Sequence, residues 1–161
     1  MSNQLSKYGK IVAGLQPIDT TGAAANGDYI SMKGLHHVSI VLMFGVALVA
    51  TPAITLTQAK TVAGGSAKAL GFDKIQVNAA TGTSDAFVDT DVTSNTIDKA
   101  AGSGQLFVIE VDASDLDGDN AFDCLRCNVE SPGGNATLVS ILYVGSPLRF
   151  GAQSPPSAIT N

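Results

Sequence analysis

The chain has 161 residues, enough for one domain with its own core, and 45% of them are hydrophobic, which excludes a generally disordered polypeptide. Only 14% are charged, and 9 Lys and Arg against 14 Asp and Glu leave a net charge of -5, so no basic face is offered to nucleic-acid phosphates. Gly, Ala, Ser and Thr are abundant, a balance that fits a β-protein with many turns better than a helical bundle.

The first residues, Met1-Ser2-Asn3-Gln4-Leu5-Ser6-Lys7, lack the apolar core of a secretory signal, so synthesis and use without export is expected. The two cysteines, Cys124 and Cys127, are too few for a disulfide scaffold and agree with a reducing cytoplasm. Residues 1–26 carry no sustained period and read as an extended N-terminal arm. Asn26-Gly27-Asp28 is a turn that opens the domain, taken as 27–151, and Tyr29-Ile30-Ser31-Met32 reads as its first strand, closing at Lys33-Gly34.

Residues 35–59 are the most apolar segment and raise the question of a membrane span. Thr51, Pro52, Thr55, Thr57 and Gln58 make its second half polar or helix-breaking, so the required run of about 20 apolar residues is missing. Val38, Ile40, Leu42 and Phe44 fall on one face at period two, and Ile54 and Leu56 alternate with Thr55 and Thr57, so two strands joined across 45–52 are expected. Gly64-Gly65 is a further turn, with short strands near Ala67 to Leu70 and Ile75 to Val77. Residues 78–104 are rich in small and polar types, with Phe87, Val88, Val92 and Ile97 as anchors, and read as loops and short edge strands.

The stretch 105–144 is the best defined. Leu106-Phe107-Val108-Ile109-Glu110-Val111 suits a pleated, mostly buried surface; an acidic turn follows, then a second run at 122–129, a glycine turn at Ser131-Pro132-Gly133-Gly134-Asn135, and a third run at 137–144. This order reads as an antiparallel meander. Pro147-Leu148-Arg149-Phe150-Gly151 adds a last short strand, and Pro155-Pro156 keeps 152–161 extended as a C-terminal arm. Roughly seven to nine short strands between turn signals predict an all-β fold: an antiparallel β-sandwich or barrel with a jelly-roll or Greek-key path.

Few residues offer chemistry. Asp115-x-Asp117-x-Asp119 begins like a calcium loop, but Asn120 stands where the glycine is required and Arg126 where the bidentate glutamate should be, so a polar hairpin turn is the better reading. Cys124-x-x-Cys127 has metal-site spacing, yet residues three apart on a strand point to opposite faces, and the adjacent His36 and His37 also diverge; two half-buried structural thiols are expected, with no zinc. These adjacent histidines are the chain's only ones and no serine sits in a nucleophile elbow, so no triad assembles and no enzyme is expected. The glycine pairs lack a phosphate-loop lysine, and Asn135-Ala136-Thr137 matches a glycosylation acceptor only formally. No catalytic, cofactor-binding or metal-binding residue is assigned.

Tyr29-Ile30-Ser31-Met32-Lys33, then Thr55-Leu56-Thr57-Gln58-Ala59, then Ala67-Lys68-Ala69-Leu70 resemble small virion proteins of tailed bacteriophages. The run from Leu106 to Asp117, followed by Asn120-Ala121-Phe122-Asp123-Cys124 and the closing Ser154-Pro155-Pro156-Ser157-Ala158-Ile159, is similar to proteins encoded among phage head genes. The likeness spans roughly Asp28 to the C-terminus. It implies a structural component of the particle: a capsid decoration or cement protein, made in the host bacterial cytoplasm and seated on the virion's outer shell. Its implied partners are the major capsid protein and copies of itself, as a trimer, with no cofactor, nucleic acid or membrane. The alternatives are a tail or head-to-tail connector component, and a receptor- or carbohydrate-binding β-sandwich, the latter disfavoured by 6% aromatics and no Trp.

Overall fold

The computed structural model describes residues 9–45, 53–93, 97–98, 104–131 and 138–148. In chain order these form β1 (Lys10–Asp19), β2 (Ala25–Asn26), β3 (Ile30–Ser31), β4 (Leu35–Phe44), β5 (Ala53–Ala59) and β6 (Lys68–Leu70). There follow β7 (Lys74–Asn78), β8 (Val88–Asp91), β9 (Ile97–Asp98), β10 (Gln105–Asp112), a 3₁₀ turn at Gly118–Asn120, β11 (Cys124–Val129) and β12 (Leu138–Leu148). β-branched and aromatic residues at alternate positions build the strands, and Gly, Asp and Ser break them.

All pairings are antiparallel, and they make two sheets. The first has the order β1-β12-β4-β10-β7-β8; the second has β2-β11-β5-β6, with β3 also on β11 and β9 on β5. Val38, Ile40, Leu42 and Phe44 of β4, with Phe107 and Ile109 of β10 and Ile141 and Tyr143 of β12, bury one side of the first sheet. Against them lie Ile54 and Leu56 of β5 and Leu125, Cys127 and Val129 of β11, in one shared cluster. The fold is therefore the expected all-β sandwich, with non-sequential neighbours of Greek-key type.

Two details of connectivity differ from the sequence reading. The three strands within 105–144 all form, but they are not neighbours: β10 and β12 flank β4 in the first sheet, while β11 lies in the second between β5 and the short β2 and β3. The meander is replaced by a crossover from one layer to the other and back, because the apolar inner face of β11 has to cover the core from the opposite side. The apolar segment resolves into the two expected strands, β4 and β5, which lie in different sheets, and among the described residues no helix is long and apolar enough to cross a membrane. The second difference is at the N-terminus. The stretch read as an arm is extended, but over Lys10–Asp19 it is hydrogen-bonded to β12 as the edge of the first sheet. Register shifts between Ala13 and Leu15 and between Leu15 and Ile18 interrupt the alternation, which is why no period marks this strand.

One buried side chain bonds across the layers. Tyr143, fully buried, reaches across from β12 so that its hydroxyl oxygen accepts the Cys127 N–H of β11 at 2.9 Å. It does so in the gap between β2 and β3, where Gly27 N–H donates to the Cys127 carbonyl at 3.0 Å. Gly14 and Gly27 leave room for the ring and its hydroxyl, since a Cβ at Gly27 would stand 3.1 Å from that oxygen and 2.7 Å from the Cys127 carbonyl. Residues 1–8, the glycine turn with Asn135, Arg149-Phe150-Gly151 and the C-terminal arm read at 152–161 lie outside the described residues.

Candidate interaction surface

Strand alternation sends half of each central strand away from the core, and in the first sheet that outward half is also apolar. Ala13 of β1 pairs with Leu142 of β12, Leu142 with Val41 of β4, and Val41 with Val108 of β10, giving an unbroken row across four strands. Ile11 beside Val144 flanks this row on one side, and Met43 beside Leu106 flanks it on the other. Met43 is 57% exposed, Ile11 44% and Leu142 40%. At the Met43 end the face runs into a shallow groove of about 300 Å³ lined by Pro17, Met43, Gly45, Leu138 and Ser140, among others. The second sheet shows a polar outer face instead, with Thr55, Thr57, Arg126 and Asn128 in register.

The opposite end of the apolar face is closed by charge. His37 of β4 stands between two carboxylates of β10, with Nδ1 at 2.8 Å from Asp112 Oδ1 and Nε2 at 2.7 Å from Glu110 Oε2. A neutral imidazole has one N–H to donate, so this arrangement fits the imidazolium. Partial burial opposes that charge, but the hydrogen bonds to Asp112 and Glu110 and their negative charges outweigh it, and the pKa is raised above the ordinary histidine value. With both nitrogens engaged, His37 is a clamp between strands and is not placed as a catalytic base. His36 points the other way and is exposed, as the divergence of neighbours on a strand requires.

The acidic stretch is built for closure. Asp115 Oδ2 accepts the Asp112 N–H at 2.8 Å, and the Asp117 carboxylate accepts Asn120 Nδ2 at 2.9 and 3.0 Å while pairing with Lys68. The bond from Lys68, with that from Asn120, holds Asp117 below the usual carboxylate pKa. The turn is polar as expected, but it is a crossover between sheets rather than a hairpin between paired strands. Among the described residues no three His, Cys, Asp or Glu side chains are gathered as a metal would require.

Cys124 and Cys127 do point to opposite faces of β11. Cys127 joins the main core, and Cys124 packs with Tyr29 and Ala59 in a second small cluster. Both are free thiols and both are fully buried rather than half-buried, because the segment around Tyr29 covers the outer side of the strand at Cys124. Burial, with a smaller contribution from Asp123, pushes the Cys124 thiol up to about 12, and burial alone pushes Cys127 up as well. Neither is poised as a nucleophile.

Sequence reasoning missed the apolar face and the partners of His37. The face had a signal: residues 38–44, 106–111 and 138–144 are apolar at both parities, where a sheet wet on one side would alternate. The His37 partners had none, since only the pairing of Ser39 with Glu110 and of His37 with Asp112 brings them together.

Fold and surface define an antiparallel β-sandwich with one apolar outer face, the kind of surface that soluble domains cover with another protein. No known family and no curated protein matches the sequence. Among solved structures, the chain is similar to the SPBc2 prophage-derived protein YomS, with a TM-score of 0.44, 10% identity and coverage of 84% of this chain and 92% of that one. It also overlaps chains of infectious bursal disease virus: the Gt strain at a TM-score of 0.26 and 10% identity, covering 94% of this chain and 44% of that one. For the Gx strain the values are 0.27, 14%, 93% and 46%.

Proposed function

We propose that the protein is a structural component of a tailed-phage particle, a capsid decoration or cement protein that binds the outer shell in many copies. Its partners in this reading are the major capsid protein and further copies of the chain, grouped as a trimer. The resemblance of its runs to phage head-gene products motivates the reading, and the observation that carries it is the apolar outer face of the first sheet.

The size of that face decides what it can hold. Four strands at about 4.8 Å spacing and some six residues of strand at about 3.4 Å cover roughly 400 Å². A stable two-body interface needs about 800 Å² from each side. A contact of this size is weak alone but adds up when a symmetric shell presents its partner repeatedly and neighbouring copies share the load. The terminal segments belong to the same proposal as further contacts, with the N-terminal one beginning ahead of β1, since Lys10–Asp19 is committed to the sheet.

The test is copurification. Particles assembled with and without the chain are purified on a density gradient and imaged, and many copies at regular positions on the shell are expected. A few copies confined to a vertex or tail would mark a connector or tail component, and absence from particles would end the virion reading.

A further inference from the structure

The first sheet ends on an open strand. Among the described residues β8 pairs with β7 alone, and all four of its residues, Val88, Asp89, Thr90 and Asp91, are exposed. Its register sets Asp89 opposite Gln76 and Asp91 opposite Lys74, while Thr90 lies opposite the buried Ile75, so the two acids share the outer face. Gln76 Nε2 reaches Asp89 Oδ1 at 3.3 Å, and the ion pairs among the described residues, made by Lys33, His37 and Lys68, do not include Asp89. A free edge is a template for a further strand, and the charges on it select which strand is added. A second β8 paired about Thr90 would set Asp89 against Asp91, and like charges facing one another are destabilising. The edge is closed to its own kind and open to a strand that carries a cation.

The chain has a segment of that charge next to the opposite edge of the same sheet. Residues 1–18 carry Lys7 and Lys10 and no Asp or Glu, whereas residues 75–97 carry Asp85, Asp89 and Asp91 and no Lys or Arg. Every pairing from β1 through β12, β4, β10 and β7 to β8 is antiparallel, so five reversals leave β1 and β8 running in opposite directions. A strand that enters ahead of a neighbour's β1 therefore meets β8 antiparallel and carries the alternation on from copy to copy. Reach excludes the chain's own segment. Lys7 is three residues from Lys10, about 10 Å of extended chain, while five strand spacings of about 4.8 Å separate β1 from β8 by about 24 Å.

We propose that the segment ahead of β1, carrying Lys7, adds as a strand to the β8 edge of a second copy of the chain. With Lys7 opposite Asp89, Tyr8 falls opposite Val88 and Ser6 opposite Thr90, an aromatic beside a β-branched residue and a pair of hydroxyls. Backbone hydrogen bonds supply the affinity of such an addition, and the Lys7–Asp89 pair fixes its register. The contact is heterologous, so copies joined this way close into a ring or run on as a chain. It deepens the self-association named above and rests on that reading only for a ring of three. The contact itself is read on the purified chain, so it can fail while particle binding stands.

Sedimentation velocity on the full chain over a range of concentrations reads the association, and carbodiimide coupling of mixed ¹⁴N- and ¹⁵N-labelled chains reads the contact. Wild type is expected to pass from monomer to a larger species as concentration rises, and to give a Lys7–Asp89 cross-linked peptide with one light and one heavy partner. Lys7→Glu and Asp89→Lys should each weaken association about tenfold or more, and the double variant, which restores opposite charges at the pair, should recover it. Removing residues 2–7 leaves β1 whole, so the melting temperature should hold while association is lost. A wild-type chain that stays monomeric throughout, cross-links only within one chain, or a double variant no better than the single ones would each overturn the proposal. So would association that survives the removal of residues 2–7 and is lost in Met43→Glu, which would put the contact on the apolar face instead.

Discussion

His37 shows how one ionisation is written into the sheet. Burial, the largest single influence, lowers its pKa, but the hydrogen bonds and charges of Asp112 and Glu110 together outweigh it, so the pKa is raised on folding. A histidine of this kind binds its proton more tightly in the folded state, so its contribution is complete below the unfolded value of about 6.5 and is lost as pH rises through the raised folded value. His37→Gln should therefore destabilise more at about pH 5.5 than at about pH 9, read as the shift in urea midpoint against wild type at each pH. Equal shifts would mean that the imidazole is neutral in the clamp. Tyr143 is the second residue on which much depends, for a different reason. Replacing it with Phe leaves the Cys127 N–H without the hydroxyl that accepts it at 2.9 Å, in a fully buried position. Tyr143→Phe should cost about 1–3 kcal/mol, measured by chemical denaturation, with little change in the thermodynamic m-value.

At the scale of elements, the strands were legible and their partners were not. Period-two patterning at Val38, Ile40, Leu42 and Phe44 and the β-rich run from Leu106 to Val111 located β4 and β10 well, because burial of one face dictates alternation. Partner choice depends on which layer needs covering, and β11 joins β5 rather than β10 for that reason alone. β1 was illegible as a sheet strand because bulges around Leu15 break its period and Gly14 and Pro17 weaken its propensity. Its pairing with β12 changes what truncation does. Removing residues 1–26 takes away an edge strand, the buried Val12 and Ala25, and the backbone that lies against Tyr143, so a loss of at least about 3 kcal/mol is expected. A truncated chain with an unchanged melting temperature would show that β1 is an ornament. The β11 thiols provide a second element-level check: with Cys124 pushed to about 12 and both side chains buried, a thiol-specific disulfide reagent at about pH 8 should modify neither cysteine until denaturant is added.

For the whole molecule, the two outer faces divide the surface into an apolar side and a polar one. The apolar face was half visible in the sequence, as strands with hydrophobic residues at both parities, but only the order β1-β12-β4-β10 gathers Ala13, Leu142, Val41 and Val108 into one row. Met43 and Leu142 lie on it and are 57% and 40% exposed, so replacing them with Glu removes no core contact. Such surface changes shift stability by about 0.5 kcal/mol or less. At a docked face the same change buries a carboxylate against apolar atoms, and the penalty recurs at every copy of a repeated lattice. Met43→Glu and Leu142→Glu should leave the melting curve within a degree or two, while lowering the copies retained on washed particles about tenfold or more, by densitometry against the major capsid protein. Thr55→Glu, on the outer face of the other sheet, is the matched control and should leave retention unchanged. Full retention of both first-sheet variants would show that the apolar face does not touch the shell.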